Sequence, residues 1–319
     1  MKKWRDAKVK KKRYIWETNE KTMAKEKYIN PLTDFGFKRL FGTEPNKNLL
    51  INFLNELLPE KHQIVDLTYS KNDNKGTTLE DRSAIFDLNC ISASGDRLIV
   101  EMQNSKQTYF KDRSLYYSTF PIQEQAKKNV WDFKLTPVYF IGILNFAFTT
   151  ETKNTDIVQY VELKDQNNKT FYDKLKLMYI ELEKFNKTEE QLETNFDKWL
   201  FALTQLSKLD DIPEKLKNEM FVQLFKEAEI AQFTPKERQA YQDSLKTYRD
   251  NINIMDYAEK KGIKKGEKRG IVKGEKIGYP KNAIETALTM IEMGFSSDKT
   301  SKISKLSIEE LRENGKSKT

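Results

Sequence analysis

The segment "AIFDLNCISASGDRLIVEMQ", Ala84 to Gln103, decides the fold. Two apolar runs flank "SGD", and a short break containing Gly95 between β-forming residues predicts a hairpin, with strands over Ala84–Ala93 and Arg97–Gln103. Side chains alternate along a strand, so Glu101 and Gln103 share one side while Met102 takes the other. After Leu98, Ile99 and Val100, that side is either wet or a site. Asp87 stands in the apolar partner strand fourteen positions before Glu101, a separation that a hairpin can bring side by side. Two carboxylates at close range repel, and either one buried unpaired is costly. A divalent cation resolves both problems, so Asp87 and Glu101 are the expected metal ligands. Gln103, on the same face as Glu101, is expected to reach a phosphate or orient a water.

Outward from the hairpin, the pattern is α/β. "PLTDFGFKRLFG" predicts a helix starting near Pro31, with Phe37, Leu40 and Phe41 on one face and Gly42 ending it. A second helix is expected over Asn46–Leu58, striped by Leu49, Leu50, Phe53, Leu54 and Leu57. A strand is expected over Ile64–Ser70 before the hairpin, and an amphipathic helix over Tyr109–Asn129 after it. "TPVYFIGILNF", Thr136 to Phe146, is apolar on both faces, as an interior strand covered by helices would be. Further strands are expected over Ile157–Lys164 and Lys174–Lys184, and the chain reads as helical beyond Thr188.

Composition narrows the chemistry. At 319 residues and 38% hydrophobic content the chain can bury a core. It has neither an apolar run of membrane-spanning length nor a secretory signal, which places the expected protein in the cytoplasm. Cys90 and His62 are the sole cysteine and histidine, too few for thiol, serine-hydrolase or histidine-rich metal chemistry. Carboxylates, amides and cations remain, which points to a hard ion: Mg²⁺, with Mn²⁺ or Ca²⁺ as alternatives.

The net charge of +8 is unevenly spread. Residues 1–13 carry eight Lys/Arg against one Asp, and residues 259–281 carry nine against three acids. Residues 28–258 carry 30 Lys/Arg against 35 Asp/Glu, so the body is mildly acidic. Attraction to phosphate must come from a local patch, a bound ion or the two basic appendages. The expected organisation is a basic flexible arm over 1–27, an α/β domain over 28–187, a helical subdomain over 188–258, a basic segment over 259–281 and a small helical tail over 282–319. In the basic segment Gly262, Gly266, Gly270, Gly274 and Gly278 recur every fourth residue. On a helix they form a slowly winding stripe. Two readings stand: a seam for a homodimer, or a flexible basic linker.

The blocks "NPLTDFGFKRLFG", "IFDLNC", "LIVEMQ", "RSLYYSTFPIQEQ" and "LTPVYFIGILNF" resemble, in this order, those of the PD-(D/E)XK nuclease superfamily, and most closely its recombination-promoting nuclease branch, also described as transposases. The resemblance covers Tyr28 to Phe148. It implies a restriction-endonuclease-like core, with a mixed central sheet flanked by helices and an all-helical C-terminal region. It also implies a metal-dependent endonuclease acting on DNA, linked to recombination, transposition or defence. Carried over, Asp34 becomes the first-helix acid, Asp87 and Glu101 the metal ligands, and Gln103 occupies the position that most of the superfamily fills with lysine. Gln cannot supply lysine's charge, which keeps open a second reading, a catalytically weak nuclease fold that binds DNA or serves assembly. On the helix after the hairpin, Arg113, Tyr117 and Gln125 have family-like spacing and are candidates for DNA or phosphate contact. For Arg113 and Tyr117 a surface stack is the alternative.

Overall fold

The computed structural model describes residues 26–70, 73–74, 84–126, 132–148 and 155–310. The arm expected over 1–27 falls outside them up to residue 25, and the last part of the tail falls outside from residue 311. The chain divides into two compact units between Ile252 and Asn253.

In the first unit, helices α1 (Asp34–Phe41) and α2 (Lys47–Asn55) precede the sheet. Thr33 caps α1, its Oγ1 accepting the Gly36 N–H at 3.0 Å. The apolar stripe of α1, Phe37, Leu40 and Phe41, is buried as its spacing dictates. The strands are β1 (Leu67–Tyr69), β2 (Asp73–Asn74), β3 (Ala84–Ile85), β4 (Leu88–Ser92), β5 (Arg97–Gln103), β6 (Val138–Leu144), β7 (Val158–Lys164) and β8 (Thr170–Glu181). Helix α3 (Phe110–Gln123) crosses from β5 to β6. Six strands form one mixed sheet in the order β1-β4-β5-β6-β8-β7, while β2 and β3 pair separately. The β4–β5 hairpin is antiparallel, and β5, β6 and β8 run parallel at the centre. Gly95 makes the hairpin turn at φ +89°.

Two apolar layers hold the sheet. Leu98, Val100 and Met102 of β5 join the larger cluster with α1, α2 and the later helices α4 (Asn195–Gln205), α5 (Glu219–Ala228) and the start of α6 (Pro235–Glu292). Ile99 points the other way, into the cluster that Phe110 and Phe120 of α3 form with Phe86, Phe140 and Leu144. All seven residues of β6 are buried, because both of its faces are covered. Trp199 of α4 is fully buried among Phe41, Phe53 and Phe221, with its Nε1–H donated to Asn52 Oδ1 at 2.8 Å. Helices α4, α5 and the start of α6 thus share a core with α1 and α2. Tyr241 and Ser244 of α6 accept the N–H groups of Asn30 and Phe35, fixing the chain on either side of Thr33.

The second unit contains the rest of α6, the Gly294 turn at φ +83° and α7 (Ser297–Ser304). Four of the five periodic glycines, Gly262 to Gly274, lie in α6 with open space around each Cα, and the side-chain environment of Gly278 lies outside the described residues. Among the described residues no helix is long and apolar enough to cross a membrane.

Candidate active site and metal centre

The hairpin register aligns Leu88 with Val100, so the next pair outward is Asp87 with Glu101. The strand expected over Ala84–Ala93 is broken there: β3 ends at Ile85, and Asp87 sits in a bend before β4. Its carboxylate explains the break. Asp87 Oδ2 accepts the Met102 N–H at 2.7 Å, and the Asp87 N–H donates to Glu101 Oε1 at 3.2 Å. Side-chain oxygens here do the work of a strand ladder, satisfying two main-chain donors while fixing both acids.

Glu101 is only 6% exposed. Burial first, and then the Asp87 charge beside it, push the Glu101 carboxyl up to about 8. Asp87 is also raised, chiefly by burial. Among the described residues no Lys or Arg nitrogen lies within ion-pair distance of Glu101, and no group of three His, Cys, Asp or Glu has metal-binding geometry. The donor set is therefore a buried Glu101 and a half-buried Asp87 whose carboxylates repel each other. That set suits a hard divalent ion of the Mg²⁺ type, which takes one or two protein carboxylates and fills its remaining positions with water and phosphate oxygens.

Gln103 shares the Glu101 face, but its amide is committed. Oε1 accepts from Arg113 Nη2 at 2.7 Å, and Nε2 donates to the Ser105 carbonyl at 3.0 Å. Arg113, from the first turn of α3, also donates Nη1 to Gln107 Oε1 at 2.7 Å. Its guanidinium lies 5.1 Å from the centre of the Phe110 ring and 5.6 Å from that of Tyr117. The Tyr117 ring packs edge-on against Phe86, the residue before Asp87, with centroids 5.2 Å apart, and burial and then the charge of Glu101 raise its hydroxyl's pKa.

Asp34 opens α1, exposed and ion-paired with Lys38 at 2.7 Å. The helix cap is Thr33 rather than Asp34. Asp34 and Lys38 both act on the acid pair through space: the lysine favours ionisation of Asp87 and Glu101, and Asp34 opposes that of Asp87. Asn104 ties this helix to the hairpin, donating Nδ2 to the Leu32 carbonyl at 2.6 Å.

Gln125 is not at this site. Its Oε1 accepts the Thr136 N–H at 2.6 Å, next to the start of β6, whereas Gln103 aligns with Leu144 at the end of β6. Gln125 clips the C-terminal end of α3 to the sheet. Its spacing from Arg113 is misleading because α3 runs the length of the sheet. Three residues at the site escape a sequence reading: Lys38, Gln107 and Asn104. Lys38 is detectable as the cation four residues after Asp34, while the other two are placed by loop geometry that no periodicity encodes.

No curated relative and no solved structure matches the chain. A family profile described as PD-(D/E)XK nuclease family transposase matches residues 31–258. This span takes in the acid pair, the mixed sheet and the helices packed on it, and the chain belongs to that family of nuclease-fold transposases.

Proposed function

We propose that the protein is a divalent-metal-dependent DNA endonuclease, acting in recombination, transposition or defence against foreign DNA, with Mg²⁺ as the resident ion. The observation that supports this best is the facing pair of half-buried Asp87 and buried Glu101, mutually repelling and each fixed by a main-chain N–H. These two side chains would hold the ion. When bound, such an ion supplies Lewis-acid stabilisation of the phosphodiester and acidifies the attacking water. The chain's own residues contribute the rest. Asp34, at the start of α1 and in electrostatic reach of Asp87, is proposed as a further acid at the rim, with Lys38 holding its orientation. Tyr117, packed against Phe86 beside Asp87, is proposed to contact the DNA backbone.

The body is acidic, so DNA must be recruited elsewhere. Residues 253–274 of α6 are all exposed. At 3.6 residues per turn, Lys261, Lys264, Lys265, Lys268 and Arg269 fall on one face, and Gly262, Gly266 and Gly270 on another with Glu259. The basic face is proposed to meet phosphates, and the glycine face to seat a second copy of the chain. Two copies would address both strands of a duplex.

Supercoiled plasmid with Mg²⁺ or Mn²⁺ tests the assignment. The wild type should nick or linearise it, and Glu101→Ala should reduce cleavage by on the order of 10²-fold or more. Cleavage that persists undiminished in Glu101→Ala would remove the assignment. Salt-sensitive DNA retention without cleavage in any divalent ion would instead establish a nuclease fold kept as a DNA-binding module.

A further inference from the structure

In most of the superfamily that this chain resembles, a lysine follows the second acid by two positions, and here that position holds Gln103. A neutral amide leaves the transition-state charge unanswered unless another cation stands nearby. The structure supplies one from a different element. Arg113 projects from the first turn of α3, and its Nη2 reaches Gln103 Oε1 at 2.7 Å. Gln107 Oε1 takes Nη1 at 2.7 Å, and the Phe110 and Tyr117 rings flank the guanidinium. The Gln103 amide cannot be turned around in this arrangement, because its other end donates to the Ser105 carbonyl at 3.0 Å. Glutamine is therefore specifically suited to position 103: it accepts from a guanidinium, which lysine cannot do. A lysine at 103 would meet Arg113 as a like charge.

We propose that Arg113 is the cation that contacts the scissile phosphate in this protein, and that Gln103 is the positioning residue that holds it at the end of β5. The inference rests on the nuclease reading above and adds the source of the positive charge. A guanidinium presents a planar fork of donors that matches phosphate oxygens in pairs. Two of its donors are used on glutamines, and the remaining N–H groups are left for a ligand.

The test compares plasmid cleavage by the wild type, Arg113→Gln, Gln103→Ala and the double variant Gln103→Lys/Arg113→Gln, each confirmed as folded by its melting transition. Arg113→Gln should lose on the order of 10²-fold in rate. Added guanidinium should restore part of that loss, and so should the double variant, which returns a charge to the strand end. Gln103→Ala should lose less, on the order of 10-fold, because the arginine is freed rather than removed. A merely structural Arg113 would show neither restoration. An Arg113→Gln rate within about threefold of wild type, or a loss that neither guanidinium nor the double variant reverses, overturns the proposal. An activity-independent measurement accompanies it: binding of a DNA duplex in EDTA as a function of salt. The slope for Arg113→Gln should fall by about one phosphate contact. A wild type that cleaves nothing removes the nuclease reading. The slope then decides the arginine's phosphate contact alone, and an unchanged slope overturns it.

Discussion

The main-chain N–H of Met102 donates to Asp87 Oδ2 at 2.7 Å, so one acid of the pair is held by the residue next to the other. This bond replaces a ladder partner that β4 no longer provides once the strand breaks at Asp87. Removing the carboxylate strands a donor inside the protein. Asp87→Ala should therefore destabilise by about 1–3 kcal/mol, and Asp87→Asn, which keeps an acceptor, by less. Urea denaturation of the metal-free protein measures both, and equal stability of Asp87→Ala and wild type would contradict this account of the bend.

The pH dependence of the metal-free protein follows from Glu101, whose carboxyl rises from its ordinary 4.5 to about 8 on folding. A raised acid binds its proton more tightly in the folded state. Its contribution to stability is complete below the unfolded value and is lost as pH rises through the folded one. The melting temperature should therefore fall between pH 5 and pH 8, within the window those two values define. Glu101→Gln should flatten the curve. Saturating Mg²⁺ should also lift the wild type at pH 8, by about 2.7 kcal/mol at a hundredfold excess over the dissociation constant, and should leave Glu101→Gln nearly unmoved. A wild-type melting temperature indifferent to pH and to Mg²⁺ would count against the pair as a metal centre.

Gly142 lies beside Glu101 in the β5–β6 register, between it and Tyr179 of β8. A Cβ there would come within 3.0 Å of Tyr179 Cδ1 and 3.4 Å of Phe140 Cε1. Tyr179 cannot yield freely, because its hydroxyl is bonded to Ser114 Oγ of α3. Gly142→Ala should cost about 1–3 kcal/mol by overpacking and shift α3 relative to the acids. Thermal unfolding checks the first effect and the plasmid cleavage rate the second. A variant as stable and active as wild type would show that the ring relaxes at no cost.

The cationic face of α6 sets the expected salt dependence of DNA retention. Replacing Lys264, Lys265, Lys268 and Arg269 together by glutamine should lower the log–log salt slope by about 3–4 while leaving the melting of the first unit unchanged. Gly266→Leu tests the other face: sedimentation should show a wild-type dimer dissociating in this variant. A monomeric wild type would withdraw the dimer proposal without touching the basic face.

The alternation of β5 by itself makes Glu101 and Gln103 neighbours on one face, and the β4–β5 hairpin follows from apolar runs around Gly95. Both are short-range consequences of a period of two and a turn residue. The continuous apolar run of β6 likewise announces a strand buried on both sides. Tertiary structure decided the rest. Asp87 faces Glu101 from a bend rather than from within a strand, because its own carboxylate competes for a main-chain donor, and only the assembled sheet reveals that competition. Gln125 and Arg113 lie at the two ends of one helical segment yet serve opposite ends of the sheet, since the path of α3 across β6 is set by packing at Phe110 and Phe120. The sequence alone identified which acids would meet, through local periodicity. The seating of Arg113 on Gln103 depended on a crossover helix folding back onto the sheet, a long-range contact that no local pattern specifies.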